Sequence, residues 1–285
     1  TTRGLVVKWA NTTQTALRLT PGHGMSIGPI LEEMANRRCA IPFFRSAPRF
    51  GEMGGMKMRF GKEPLIVGCI GSAARLRRCA KKGPADCDMV EVRLDLTGLC
   101  GGKWIALCSA IQKQGLPVLL TIRSHREGGE WRGREAERLA LYLAGLKSVS
   151  AVDVEIGSGA LELLAQVAHK RGVKVVGSFH EFRGTPDRAR LAAVEARGRA
   201  LGADMVKIAA MVKDSRDMAR LFALPAQAQG PICVLGMGDR GGISRVALPC
   251  AGSCLAYGAL GKATAPGQWR CRDFARELAR WGVRE

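Results

Sequence analysis

From Pro64 onward, eight short apolar runs alternate with segments of helical periodicity, and no other feature narrows the choice of fold as much. The runs are Leu65–Ile70, Met89–Leu94, Val118–Arg123, Ala151–Ile156, Lys174–His180, Met205–Met211, Ile232–Met237 and Cys254–Leu260. Between them the spacing predicts helices over 73–82, 103–113, 133–146, 159–170, 186–201 and 214–227, with a last one over 272–281. Leu161, Leu164, Ala165 and Ala168, for example, share one helical face. Strands that are apolar on both faces and separated by helices form parallel sheets covered on both sides. Eight such units over residues 63–285 predict a closed (β/α)8 TIM barrel, an α/β fold. No GxGxxG follows the first run, which argues against an open dinucleotide-binding sheet.

Residues 1–62 read differently. Gly and Pro interrupt them throughout, and only a short apolar stretch at Leu5–Ala10 and a weak helix over 28–38 stand out. They are expected to be an N-terminal extension without a fold of its own, non-native or a targeting segment, since Thr1–Leu31 is basic and lacks acids.

The formal net charge of +19 draws anionic partners, yet the excess is spread along the chain and aromatic residues make up only 5%. With no RNA-recognition motif and no paired zinc-finger spacing, no nucleic-acid partner is expected. None of the ten cysteines forms a CxxC pair, and they read as small buried apolar residues in a reducing compartment. No apolar run is long enough to span a membrane and no signal-peptide pattern opens the chain, so a cytoplasmic location is expected.

Within this pattern Lys207 is an anomaly: an ammonium in the run Met205–Met211, where it must snorkel out, pair, or lose its proton. Barrel chemistry gathers at the C-terminal ends of the strands. The polar residues expected there are Glu91, Arg93, Arg123, Glu127, His180, Lys207, Arg245 in the loop after the seventh strand, and the segment Thr264–Gln268 after the eighth. Each has a structural alternative; Glu91 and Arg93, two apart on one strand face, suit an ion pair. Together they suit amine catalysis. A lysine kept partly neutral by apolar walls and nearby arginines condenses with a ketone, and the iminium acidifies the adjacent C–H. His180 is the expected proton acceptor, with Glu127 fixing its tautomer, while the arginines hold an anionic, hydroxylated substrate. Neither metal nor cofactor is expected.

These residues fall in motifs that resemble the type I 3-dehydroquinate dehydratases of the shikimate pathway. The likeness runs from about Pro64 to the C-terminus and rests on Glu91–Asp95, Thr121–Trp131, Ser178–Phe182, Ala203–Met211, Gly241–Arg245 and Thr264–Gln268, in that order. The resemblance implies a hydro-lyase that converts 3-dehydroquinate to 3-dehydroshikimate. It implies that Lys207 forms an imine with the C3 ketone, and that His180, held by Glu127, removes the C2 proton and then protonates the departing C1 hydroxyl. Glu91, Arg93 and Arg123 would contact the ring hydroxyls, and Arg245 with Gln268 the carboxylate. Thr264 stands where the family usually has serine, and Val92 where it has methionine, while His125 falls at a position the family does not use. A homodimer is the expected assembly. Two other readings stay open: a lysine-dependent aldolase-like barrel, which would need a phosphate site, and a non-catalytic basic barrel, which would bind polyanions with a steep salt dependence.

Overall fold

Eight of the apolar runs become eight parallel strands because each finds a buried face on both sides. The computed structural model describes residues 60–61, 63–84, 86–261, 263 and 268–283; the short apolar stretch, the weak helix and Thr264 lie outside them. The strands are β1 (Leu65–Ile70), β2 (Met89–Arg93), β3 (Val118–Thr121), β4 (Ala151–Glu155), β5 (Lys174–Glu181), β6 (Met205–Met211), β7 (Ile232–Met237) and β8 (Leu255–Ala259). They pair in the order β7-β6-β5-β4-β3-β2-β1-β8. Helices follow them: α1 (Ala73–Lys82), α2 (Lys103–Lys113), α3 (Glu135–Gly145), α4 (Leu161–His169), α5 (Arg188–Ala200), α6 (Ser215–Gln227), α7 (Ser244–Cys250) and α8 (Cys271–Arg280). This is the predicted (β/α)8 barrel.

The last seam closes differently from the others. Between β7 and β8, Cys254 N donates to Ile232 O at 2.8 Å. The Ser253 hydroxyl accepts from Val234 N at 2.9 Å and donates to Val234 O at 3.4 Å. A side chain thus takes the place of a strand ladder.

Local signals explain the helix starts. Ser72 accepts from Arg75 N ahead of α1, Asp187 from Arg190 N ahead of α5, and Asp214 from Asp217 N ahead of α6. Each satisfies a backbone N–H that the first turn leaves unpaired. Helix α7 is absent from the sequence expectations, which place Arg245 in a loop. It has seven residues, contains Pro249 and follows a pair of glycines, so periodicity has too little length to reveal it.

Side-chain alternation along the strands divides the core in two. Outward residues such as Val92, Leu120, Val154, Val206 and Val234 pack beneath the helices with Leu76, Trp104, Tyr142, Leu164 and Leu221. Inward residues Val67, Met89, Leu119, Ala151, Val176, Met205 and Leu255 fill the barrel itself. Phe60, just ahead of the expected domain start, packs against this inner cluster.

Candidate active site

Two residues beyond that apolar layer, the inward positions become polar: Glu91 on β2, Thr121 on β3, Asp153 on β4, Ser178 on β5 and Lys207 on β6. Ser178 and Lys207 are register partners, so their side chains share one level and one face. The next inward step along β5 is His180, on the strand adjoining that of Lys207.

Lys207 is buried and paired. Its Nζ donates to Asp153 Oδ2 at 3.0 Å, lies 3.7 Å from Glu91 Oε1, and sits 4.2 Å from the ring centroid of Tyr257 on β8. Sequence patterning predicts a lowered pKa, and the structure reverses that expectation. Burial does press the pKa down, but the carboxylates of Asp153 and Glu91 outweigh it, and the net direction is up. Of the routes open to a lysine in an apolar strand, pairing prevails, and the free protein holds Lys207 as the ammonium.

Asp153 organises the layer. Although burial favours its neutral acid, Arg123 and Lys207 hold its carboxyl far below the usual range. Arg123 Nη2 donates to Asp153 Oδ1 at 2.7 Å and Nη1 to Ser178 Oγ at 2.6 Å, with Glu155 Oε1 at 3.3 Å. Glu155 also accepts from Ser124 N at 2.8 Å and pairs with Arg138 of α3. The Tyr142 hydroxyl donates to Asp153 O at 2.7 Å. Glu91 accepts from Thr121 Oγ1 at 2.9 Å. Each charge in this low-dielectric layer therefore meets an opposite one, as buried charges must.

Arg123 lies two residues past the end of β3, not on it. There the chain leaves the sheet: Trp131 N donates to Arg123 O and His125 N to Trp131 O, which folds residues 123–131 back on themselves. Gly129 makes this closure possible, because a Cβ there would come within 2.0 Å of Arg123 O. Gly128 turns the chain at φ +78° directly after Glu127.

The loop delivers Glu127 to His180. Glu127 Oε2 accepts from the His180 backbone N–H at 3.0 Å and lies 2.8 Å from Nδ1. An Nδ1–H donating to this carboxylate leaves Nε2 as the base. Burial, reinforced by Arg123 and Lys207, holds the His180 pKa well below its ordinary value, so the ring is neutral at neutral pH. Burial raises the Glu127 carboxyl to about 7 against the pull of Arg123.

The remaining expected residues divide. Arg93 does not pair with Glu91; it forms a two-pronged contact with Asp95, Nε to Oδ1 at 3.0 Å and Nη2 to Oδ2 at 2.7 Å. Arg245 is buried in the first turn of α7, where burial lowers its pKa and the Cys69 thiol acts in the opposite direction. Gln268 Nε2 lies 3.1 Å from Cys69 Sγ. Gln268 thus contacts, and Arg245 senses the charge of, the same residue of β1, whose register partner on β2 is Glu91. His125 is exposed, with Nδ1 3.2 Å from Trp131 O.

Sequence reasoning missed Asp153, Glu155, Ser178, Arg138 and Tyr257. For Asp153 the signal was present: an acid between two valines in a fully buried strand is as anomalous as Lys207.

The family described as type I 3-dehydroquinase has a sequence model that matches residues 69–280. The 3-dehydroquinate dehydratase of Thermodesulfovibrio yellowstonii is 34% identical over 199 residues, 69% of this chain and 87% of that protein. The corresponding protein of Methanocella arvoryzae is 35% identical over 223 residues, 78% of this chain and 98% of its own length. Among solved structures, the type I 3-dehydroquinate dehydratase of Clostridium difficile, with covalent modified comenic acid, superposes with a TM-score of 0.70. It is 28% identical and covers 78% of this chain and 93% of its own.

Proposed function

The chain belongs to the type I 3-dehydroquinase family, and from that premise we propose that it dehydrates 3-dehydroquinate to 3-dehydroshikimate through an imine at Lys207. The observation that carries this reading is the placement of one buried, paired amine beside one neutral, carboxylate-anchored imidazole on the adjoining strand.

The neutral amine of Lys207 adds to the C3 ketone, and loss of water gives an iminium. His180 Nε2 takes the C2 proton, leaving a neutral enamine and an imidazolium. The enamine expels the C1 hydroxyl, which leaves as water with the proton that the imidazolium returns. Hydrolysis of the conjugated iminium then frees the product and the lysine. A depressed His180 pKa serves both halves of this exchange, because the ring is unprotonated when a base is needed and its conjugate acid is strong when the leaving group needs a proton. Glu127 fixes the tautomer through Nδ1 and, with a carboxyl pushed up to about 7, shares protons with the ring near neutrality.

A raised lysine pKa means that the amine must give up a proton once the ketone arrives. The Asp153 carboxylate is too weak a base to keep it, so the neutral imidazole of His180 is the acceptor; the imidazolium then gives this proton to the carbinolamine hydroxyl as it leaves as water, and is neutral again before the C2 proton is taken. Arg93 and Glu91 face the ring hydroxyls, while Arg245 and Gln268, each coupled to Cys69, receive the carboxylate. Arg123 is engaged with Asp153, Ser178 and Glu155, and so acts mainly by fixing the charge of Asp153 beneath the substrate.

The decisive experiment is incubation with 3-dehydroquinate. A rising ultraviolet absorbance from the conjugated product, and a borohydride-trapped adduct at Lys207, are expected. A folded protein that gives no absorbance change, or that carries the label on another lysine, overturns the reading.

A further inference from the structure

Three groups contact the Lys207 nitrogen most closely, and the reaction above gives no part to one of them. Asp153 and Glu91 offer carboxylate oxygens at 3.0 and 3.7 Å; the third is the face of Tyr257, with Nζ 4.2 Å from the ring centroid. Tyr257 is buried, and its hydroxyl has no hydrogen-bond partner among the described residues. The polar end of this side chain joins no network in the site, so what it presents to the lysine is its π face.

That face differs from the carboxylates in what it responds to. An ammonium carries three N–H bonds and a protonated imine only one, so condensation keeps the charge but removes two donors. Of the two carboxylates, at most one still accepts a hydrogen bond from the imine. Attraction to an aromatic quadrupole depends on charge rather than on donors, and it survives the change. An imine nitrogen is also less basic than an amine, so the charge is easiest to lose at the stage when electron withdrawal from C2 depends on it.

We propose that the Tyr257 ring keeps the positive charge on the Lys207 nitrogen after the amine has become an imine, making Tyr257 an electrostatic partner of the reacting nitrogen. The inference rests on the imine chemistry proposed above. Other groups face the same nitrogen. The Asp153 and Glu91 carboxylates favour its charge, Arg123 opposes it, and the Cys233 thiol of β7 and the imidazole of His180 complete the surroundings. Cys69 of β1 lies near Tyr257 itself. All of these are shared by the wild type and a Tyr257 variant, so a difference between the two isolates the ring.

The test compares wild type, Tyr257→Phe and Tyr257→Leu for turnover of 3-dehydroquinate and for borohydride labelling of Lys207 across pH. The Phe variant is expected to follow the wild type, because the ring remains. In the Leu variant the alkaline limb of both profiles is expected to move down by about one pH unit, a tenfold loss of labelling on that limb. In the free protein, nitrogen-15 titration of the Lys207 ammonium is expected to shift in the same direction. Tyr257→Met, with a flexible apolar filler, replaces the Leu variant if the latter does not fold. A folded Leu or Met variant with the wild-type alkaline limb overturns the inference, as does a Phe variant that shifts as far as Leu. Wild type that turns over substrate but takes no label at Lys207 refutes the imine assignment instead, while the ammonium titration still reports on the ring.

Discussion

Two layers of the barrel interior are built on the same strands and the same face, yet they hold opposite chemistry. Met89, Leu119, Ala151, Val176 and Met205 make one; Glu91, Thr121, Asp153, Ser178 and Lys207, each two residues further along its strand, make the other. Burial is nearly complete in both. What separates them is the kind of complementarity each needs: shape in the lower layer, sign of charge in the upper. The lower layer should therefore report on stability alone, and the upper on the state of one nitrogen.

The strongest attempt to break this division is Lys207→Ala, which is expected to abolish turnover and borohydride labelling while leaving a folded barrel. Turnover that persists in this variant would separate the layer from the chemistry. His180→Ala, one step nearer the mouth, is expected to form the adduct more slowly, since the lysine proton loses its acceptor, but still to accumulate it on long incubation, and to turn over roughly 10²- to 10⁴-fold more slowly, the usual worth of a general acid–base group. Stopped-flow absorbance set against mass-spectrometric trapping checks this, and equal loss of both signals would contradict it.

A pair of stability measurements sharpens the contrast. Asp153→Asn removes the closest opposite charge from Lys207 and Arg123, and is expected to cost about 3–5 kcal/mol in denaturant unfolding as well as activity. Met205→Ala is expected to cost about 2–5 kcal/mol with turnover per folded molecule unchanged. If Met205→Ala altered the pH–rate profile, the two layers would not be independent.

The smallest expected effect lies away from the mouth. Asp204 Oδ1 accepts from Lys174 Nζ at 2.7 Å, and Oδ2 accepts from Val175 N at 2.8 Å and faces His169 Nε2 at 2.9 Å. Burial opposes its ionisation, but these partners lower its pKa below that of the unfolded chain. Its contribution to stability is therefore present above about pH 4 and is lost as pH falls through the folded value. Asp204→Asn should flatten the stability profile in that acid range and leave turnover at neutral pH untouched.

The comparison also explains what could be read from the chain beforehand. Helix α1 is legible end to end, because Ser72 caps it and Gly83 ends it at φ +66°. Strand existence is legible too, since runs apolar on both faces have few other uses. Arg123 was misplaced because its neighbours stop pairing with β4 and turn to Trp131, a long-range backbone choice that no local pattern encodes. The candidate site was legible as a set of residue types, Lys207, His180 and Glu127 above all. Its electrostatics were not. The direction of the Lys207 shift depends on Asp153 reaching it across β5, and periodicity gives faces, not the distances between charges.

The seam between β7 and β8 adds a mechanical consequence. Seven strand contacts are held by main-chain ladders, whereas among the described residues this one is held by the Ser253 hydroxyl, the Cys233 thiol donating to Leu255 O at 3.7 Å, and one neighbouring main-chain bond. Lys207 on β6 and Tyr257 on β8 stand on either side of β7 and that join, so their contact bridges the place where the backbone does least. Local opening should begin there, with the amides of β7 exchanging with solvent sooner than those of β4 and β5. The reacting nitrogen is then also a clasp, and the charge it carries in the free protein helps to keep the barrel shut.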